Sequence, residues 1–315
     1  MTELITGGAG FIGSHLVNRL LNDGETVSVV DGEAMKPNKV IVVDNLYEGK
    51  WSNLPKNERL TCYEASIMGD IGPLFEGVDV VFHLAALTRP QWSIVHPEET
   101  NIVNVDGTLR ILMHCRDHKV KRVVFASSSS LYGNQETYPT REDAIPNPMC
   151  PYALTKLIGE EYCKLFEKLY GMEINCIRPF NAYGPRMNPN GIYSSAAAKF
   201  IDQLSKGEIP SITGTGDRPR DYIYIDDIVE IMVLASKSKV YGESFNCGSG
   251  ENISINGLLE LIAKIMGKSS EHTHSPDVYE PDQTLADITK AQTLLGFKAK
   301  VGLEEGLRKT IAQTT

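Results

Sequence analysis

Apolar and polar residues alternate in blocks along the first two thirds of the chain. Short apolar runs rich in β-branched residues, at Thr2–Thr6, Val78–Ala86, Val120–Ser127 and Met172–Pro179, predict strands. These runs are almost continuously apolar, which is typical of strands that are buried on both faces of a sheet.

Helical patterns lie between the strands. Ser14–Asp23 has apolar residues on one face, and longer helical patterns cover Glu98–His118 and Pro151–Tyr170. The last of these begins at a proline and is followed by Gly171, as helices commonly begin and end. Buried strands separated by helices predict an α/β fold with a doubly wound parallel sheet.

The pattern loosens after Phe180 into segments rich in Pro, Gly and Asn, and a strand-like run returns at Tyr222–Asp226. We therefore expect a first domain over residues 1–180, to which residues 222–248 return. Residues 181–221 and 249–315 should form a smaller C-terminal α/β lobe.

Composition narrows the possible partners. The 315 residues carry a net charge of −9, which argues against nucleic acid or an anionic membrane surface as a partner. No apolar run approaches the ~20 residues of a membrane span. The six cysteines show no CxxC spacing, which fits free thiols in a reducing cytoplasm.

A glycine-rich loop separates the first strand from the first helix. In TGGAGFIGSHL, the glycines at 7, 10 and 13 permit a tight turn, close approach to a pyrophosphate, and packing of helix on strand. The N-terminus of the helix adds N–H donors and a positive dipole. This combination predicts a Rossmann dinucleotide-binding fold.

A carboxylate at the end of the second strand should bind the adenine ribose. Two similar runs, VSVVD and VIVVD, end at Asp31 and Asp44, and the residues alone do not decide between them. The intervening GEAMKPNK is interpreted as an inserted loop or hairpin. Either carboxylate would repel a 2′-phosphate, which favours NAD over NADP.

The stretch FASSSSLYG, residues 125–133, covers the end of the strand Val120–Ser127 and the four serines there, and PYALTKL follows later. Tyr152 and Lys156 are four residues apart and therefore share a helix face. We expect the lysine ammonium to lower the pKa of the phenol, and a serine hydroxyl at the strand end to complete the set.

These motifs resemble the extended short-chain dehydrogenases/reductases, specifically the NAD-dependent nucleotide-sugar epimerases and dehydratases. The resemblance extends over nearly the whole chain through TGGAGFIG, DNL, VVFHLAA, NVDGTLRIL, FASSSSLYG, PYALTK, RPFNAYGPR, RDYIYIDD and LADITKA. It implies that Ser128, Tyr152 and Lys156 are catalytic, that residues 1–180 bind NAD, and that the smaller lobe binds the nucleotide-sugar.

The same resemblance implies further contacts. Those with NAD involve Gly7, Gly10, Phe11, Ile12, Gly13, Asp31 or Asp44, Asn45, Ser66, Ile67, Leu84, Ala85, Ala86, Asn104 and Phe180. Those with substrate involve Ser129, Arg89, Asn181, Arg186 and Arg220. An arginine that the family usually places before LAD is replaced here by Asp282 and Gln283. No metal site is expected, because HTH at 272–274 has too few ligands nearby.

The positions after Ser128 favour one reaction within the family. Related 4,6-dehydratases carry an Asp-Glu pair there and related decarboxylases a glutamate, whereas this chain has Ser129 and Ser130. Serine cannot supply the additional acid and base effectively. A nucleotide-sugar 4-epimerase, with a UDP-sugar favoured, is therefore expected, and a dehydratase, decarboxylase, reductase or non-catalytic NAD-binding regulator is the alternative. The resemblance also implies a homodimer formed through the helices Glu98–His118 and Pro151–Tyr170.

Overall fold

The computed structural model describes residues 1–23, 29–30, 33–34, 38–189 and 195–314. The strands are β1 (Thr2–Thr6), β2 (Val29–Val30), β3 (Glu33–Ala34), β4 (Lys39–Asp44), β5 (Leu60–Glu64), β6 (Val80–His83), β7 (Arg122–Ala126), β8 (Glu173–Pro179), β9 (Asn181–Tyr183), β10 (Ser211–Thr213), β11 (Pro219–Arg220), β12 (Tyr222–Tyr224), β13 (Glu243–Cys247), β14 (Ile253–Ser254) and β15 (Thr273–Ser275).

The α-helices are α1 (Phe11–Asp23), α2 (Pro90–Val95), α3 (Pro97–Asn101), α4 (Gly107–Asp117), α5 (Pro151–Tyr170), α6 (Ala196–Lys206), α7 (Ile225–Lys237), α8 (Ile255–Met266), α9 (Thr289–Leu295) and α10 (Leu303–Thr314). A π-helical turn, Ile102–Asp106, joins α3 to α4. The helix predicted as continuous over 98–118 is therefore interrupted. The prediction missed this turn because a helical pattern of apolar residues, with its period of 3.6, does not reveal a single wider turn.

A seven-stranded sheet forms the centre of the described chain, in the order β13-β8-β7-β6-β1-β4-β5. Every neighbouring pair in it is parallel. Apolar side chains of α1 and α7 cover one face, and those of α4 and α5 cover the other. The predicted α/β fold with a doubly wound parallel sheet is confirmed.

The smaller elements lie outside this sheet. Strand β12 pairs with β9, β11 with β14, and β10 with β15, each pair forming a separate two-stranded sheet. Of the predicted returning segment 222–248, β13 joins the main sheet beside β8, whereas β12 does not. The division into two domains stays a prediction.

The two similar runs after α1 have different positions. Strand β4 pairs with β1 in parallel, with Thr6 opposite Val43, so Asp44 ends the strand beside β1. Val29–Val30, from the first run, instead pairs in antiparallel fashion with Glu33–Ala34 of the insertion. Asp31 lies outside the described residues.

A buried carboxyl in β1 makes the stability of the fold depend on pH. Glu3 is 1% exposed and accepts a hydrogen bond from the Asn38 side chain at 3.3 Å. Burial raises the pKa of Glu3 to about 7, although the positive charge of Lys237 opposes the shift. A raised pKa in the folded state means that stability is fully present below pH ~4.5 and decreases as the pH rises towards 7.

We expect Glu3→Gln to remove this loss, because the amide is neutral at every pH. The variant should exceed the wild type in free energy of unfolding by on the order of 1–3 kcal/mol at pH 8 and by little at pH 4.5. Urea denaturation at both pH values measures this, with Glu161→Gln as a control on an exposed carboxyl. A gain that is the same at both pH values would contradict the prediction.

Candidate functional site

A cavity of about 490 Å³ opens at the edge of the sheet where the parallel strands end. Its walls include the glycine loop after β1, the ends of β4, β6 and β7, and the beginning of α5. Most of the predicted site residues line it: Gly7, Gly10, Phe11, Ile12, Gly13, Asp44, Asn45, Ser66, Ile67, Leu84, Ala85, Ala86, Ser128, Tyr152, Lys156, Phe180 and Arg186.

The glycine loop is packed too closely for side chains at two of its positions. Gly7 has φ +71°, and a Cβ there would lie 2.8 Å from the Ala85 nitrogen. At Gly13 a Cβ would lie 2.2 Å from the Gly7 carbonyl oxygen. The loop therefore exposes backbone at the start of α1, where the first N–H groups lack partners within the helix. This cradle fits the pyrophosphate of a dinucleotide.

Asp44 extends the cradle at the end of β4. Its Oδ2 accepts a hydrogen bond from the Ala9 N–H at 2.9 Å, and its Oδ1 accepts one from the Leu46 N–H at 2.8 Å. The carboxylate is thereby held between the glycine loop and the turn that follows β4. Its position fits the predicted contact with the adenine ribose, which stays a prediction.

Asn104 does not line this cavity, although a contact with NAD was predicted for it. Its Oδ1 accepts from the Leu87 N–H at 2.8 Å, and its Nδ2 donates to the Leu87 carbonyl oxygen and the Thr155 hydroxyl. The side-chain amide therefore ties the chain after β6 to α5. The structure gives Asn104 a positioning role, and its direct contact with NAD stays a prediction.

Ser128, Tyr152 and Lys156 come together on one wall of the cavity. Ser128 is hydrogen-bonded to the phenol of Tyr152, and the Tyr152 N–H donates to the Ser93 hydroxyl at 3.0 Å. The Lys156 ammonium donates to the Ala126 carbonyl oxygen at 2.7 Å and lies 5.9 Å from the centre of the Tyr152 ring.

Burial dominates the electrostatics of these two side chains. It raises the pKa of Tyr152 to about 12, and the hydrogen bond with Ser128 opposes that shift. It lowers the pKa of Lys156 to about 8. In the protein alone the pKa of Tyr152 therefore lies above its ordinary value and not below it as expected, because burial removes the phenolate from water.

The four serines have separate environments. The Ser127 hydroxyl donates to Glu160 within the core, in agreement with a structural role. Ser128 begins the 3₁₀ turn Ser129–Tyr132, and its oxygen accepts from the Ser130 N–H and hydroxyl at 3.2 and 2.8 Å. The contact of Ser130 with Ser128 was not anticipated. The predicted contact of Ser129 with the sugar stays a prediction.

A buried ion pair that the motifs did not reveal supports this wall. Glu160 in α5 accepts two hydrogen bonds from the Arg178 guanidinium of β8, at 2.8 and 2.6 Å. Ser244 of β13 donates to the same carboxylate at 2.9 Å. Glu160 lies four residues after Lys156 on an apolar helix face, and that isolated charge is the sequence signal that could have identified it.

The predicted substrate residues lie in several places. Arg186 donates to the Ser14 hydroxyl at 3.1 Å beside the glycine loop, and Arg89 forms an ion pair with Glu48. Asn181 donates to the Asp221 carbonyl oxygen at 2.8 Å and to Thr284 at 3.0 Å. These contacts do not test the predicted roles.

One more titratable residue at this edge of the sheet, His83, has a structural environment. His83 ends β6 between the hydroxyls of Thr6 and Thr108, and burial lowers its pKa to about 3, so it is neutral.

No cluster of three or more potential metal ligands occurs among the described residues. Within the same residues, no helix is long and apolar enough to cross a membrane.

Comparisons with known proteins agree on one family. The model of the NAD dependent epimerase/dehydratase family matches residues 3–248. UDP-glucose 4-epimerase of Mycolicibacterium smegmatis is 37% identical over an alignment that covers 99% of this chain and 97% of that protein. UDP-glucuronic acid decarboxylase 1 of Xenopus tropicalis is 33% identical over 98% of this chain and 70% of that protein.

A solved structure is also closely similar. The UDP-glucose 4-epimerase of Thermotoga maritima, crystallised with UDP-glucose, superposes with a TM-score of 0.91 at 36% identity. The match covers all of this chain and 98% of the other chain.

We expect Asp44→Asn to weaken NAD binding roughly 10- to 100-fold, since a hydrogen bond to a charged group contributes about 1.5–3 kcal/mol. The same change should reduce the preference for NAD over NADP, because it removes the charge that repels a 2′-phosphate. Calorimetric titration with each dinucleotide measures both effects. The matched variant is Asp31→Asn, and a larger loss there than at Asp44 would reverse the assignment.

Proposed function

Because the chain belongs to the NAD-dependent epimerase/dehydratase family, we propose that it is a nucleotide-sugar 4-epimerase that acts on a UDP-sugar. The observation that carries the proposal is the arrangement of Ser128, Tyr152 and Lys156 beside the glycine-loop cradle. NAD is the cofactor of the family, and the cradle fits it.

The neighbours of Ser128 support epimerisation over elimination. Positions 129 and 130 carry serines, and the Ser130 hydroxyl donates to the Ser128 oxygen. A dehydration needs a further acid and base close to the sugar, which hydroxyl groups do not provide effectively. Decarboxylation remains the second candidate, because one relative is a UDP-glucuronic acid decarboxylase.

In the proposed reaction, NAD, when bound, would supply a reversible acceptor for the hydride of the sugar C4. Tyr152 takes the proton of the C4 hydroxyl, and Ser128 holds the sugar oxygen and the phenol in line. C4 becomes a carbonyl, the sugar turns over in the cavity, and Tyr152 returns the proton once C4 is reduced on its other face. The Lys156 ammonium has three donors, one of which binds Ala126, so others can hold the nicotinamide ribose.

The burial of Tyr152 makes its activation depend on added positive charge. A pKa of about 12 keeps the phenol neutral near pH 7. The nearby Lys156 ammonium and the positive charge of an oxidised nicotinamide ring both favour the phenolate. Tyr152 should therefore become an effective base when the oxidised dinucleotide is bound beside it.

We expect Tyr152→Phe to lower kcat roughly 10²- to 10⁴-fold, the usual contribution of a general acid/base. Binding of the nucleotide-sugar should persist, because the ring is retained. NMR of C4 inversion in a panel of UDP-, dTDP- and GDP-sugars provides the measurement, with the exposed Tyr241→Phe as control. Near-normal turnover by Tyr152→Phe, or release of carbon dioxide by the wild type instead of C4 inversion, would refute the proposal.

We further propose that the protein forms a homodimer through α4 and α5. Exposed apolar side chains follow the outer faces of these helices and the π-helical turn before α4, at Ile102, Met113, Leu154, Leu165 and Leu169. A groove of about 790 Å³ lies next to this face, between α3 with the start of the π-helical turn and the beginning of α5, and is lined in part by Ile102 and Leu154. An apolar face of this kind suits burial against a second copy.

Leu165→Arg should convert the dimer into a monomer, because it would place a charge within that apolar face, where dimerisation would bury it. Sedimentation velocity at micromolar concentration measures the change. Ile209→Arg alters an exposed apolar side chain outside these helices and should leave the dimer intact. A wild-type protein that sediments as a monomer would contradict this part of the proposal.

A further inference from the structure

Two guanidinium groups converge on one carboxylate outside the cavity. Arg220, in β11, lies 3.1 Å from the Glu280 Oε1, and Arg218 lies 3.6 Å from the same oxygen. Arg218 also binds Asp277 through two parallel hydrogen bonds of 2.7 and 2.9 Å. Two guanidinium groups that converge on one carboxylate oxygen can likewise donate to the oxygens of one phosphate group.

The carboxylates belong to one short segment, Asp277–Asp282, which we call the acidic clasp. Its carboxylates lie on the solvent side, since the Arg220 side chain is 6% exposed and the Arg218 side chain 28%, against 36% for Glu280 and 55% for Asp277. Removal of the clasp would therefore uncover the two arginines.

The acidic clasp also reaches the proposed catalytic wall. Asn134 lies just after the 3₁₀ turn Ser129–Tyr132, which we call the serine turn. Its Oδ1 accepts a hydrogen bond from the Asp282 N–H at 2.7 Å, and its Nδ2 donates to the Asp282 carboxylate at 3.0 Å. Gln91 of α2 donates to the Tyr279 carbonyl oxygen at 3.0 Å. The clasp thus extends from the two arginines to the segments on which Ser128 and Arg89 lie.

Charge determines what can bind there. Arg218 and Arg220 face three carboxylates, at Asp277, Glu280 and Asp282, the last 3.8 Å from Arg218. A diphosphate that joined this group would add negative charge to an excess that already exists. Favourable binding therefore requires it to replace the carboxylates on the same guanidinium groups.

We propose that Arg218 binds the diphosphate of the nucleotide-sugar beside Arg220, whose contact with substrate the resemblance already implies, and that Asp277 and Glu280 compete with the diphosphate for these guanidinium groups. This inference rests on the proposed substrate class. It assigns to Arg218 the second cationic contact that the motif before LAD lacks in this chain. Binding of substrate then replaces the ion pairs of these arginines with Asp277 and Glu280 by ion pairs with the diphosphate.

The experiment measures the affinity of the full-length, NAD-loaded protein for UDP by calorimetry. Arg218→Gln should weaken UDP binding roughly 10-fold, because it removes a charge-assisted contact. Asp277→Asn should strengthen binding by about 2- to 5-fold, the scale of an exposed ion pair. Neither change should alter binding of uridine, which lacks the diphosphate.

A double-variant cycle separates competition from a general effect of charge. In the Arg218→Gln background, Asp277→Asn should no longer strengthen UDP binding, because its partner is gone. An equal gain in both backgrounds would show only a long-range effect and would overturn the inference. Arg141→Gln and Asp143→Asn alter an exposed ion pair elsewhere and serve as matched controls.

The remaining outcomes separate this inference from the proposed function. If the wild type binds UDP and neither variant changes the affinity, the inference is wrong and the proposed substrate class stands. If the wild type does not bind UDP, and the wild type and all variants bind uridine equally weakly, the substrate class and the inference both fail. Thermal unfolding of each variant checks that the fold is retained.

Discussion

The buried ion pair between Glu160 and Arg178 holds together the wall on which the proposed chemistry depends. Glu160 lies on the same face of α5 as Tyr152 and Lys156, and Arg178 lies in the neighbouring strand β8. Ser127 also donates to Glu160, so the carboxylate is bound to the segment after β7 that carries Ser128. Loss of one partner would leave a buried charge unpaired, a loss of roughly 3–5 kcal/mol, so this contact fixes helix, strand and serine turn relative to one another.

The network continues outward from that pair. Arg178 donates to the Tyr132 hydroxyl at 2.6 Å, and Tyr132 donates to Asn246 at 2.7 Å. Asn246, in β13, donates to the carbonyl oxygens of Thr140 and Asp287. The LYG motif, which contains Tyr132, is therefore linked through Asn246 in the core to the LAD motif, which contains Asp287. Tyr132 and Asn246 are themselves more than 100 residues apart in the chain.

Local patterns predicted what local forces determine. The strand Thr2–Thr6 and the helix Pro151–Tyr170 have the predicted bounds, because burial, a starting proline and a following glycine act on neighbouring residues. The choice between Asp31 and Asp44 could not be made in this way, since two similar runs compete for one place beside β1 and which of them pairs there depends on residues distant in the chain. The same holds for Arg218, whose partners lie about 60 residues away in the chain. The contact of either aspartate with the ribose itself stays a prediction.

The π-helical turn at Ile102–Asp106 has a consequence for the length of the chain. Each residue of an α-helix advances the side chains by about 100° around the axis. The π-helical turn is wider and takes up one more residue than an α-helical turn, so the loss of one residue here leaves an ordinary α-helical turn, whereas one further residue would rotate α3 by about 100° relative to α4. Related sequences should therefore tolerate the loss of one residue between α3 and α4 better than an insertion, whereas the segment between α1 and β4, which includes the β2–β3 pair outside the main sheet, can vary in length.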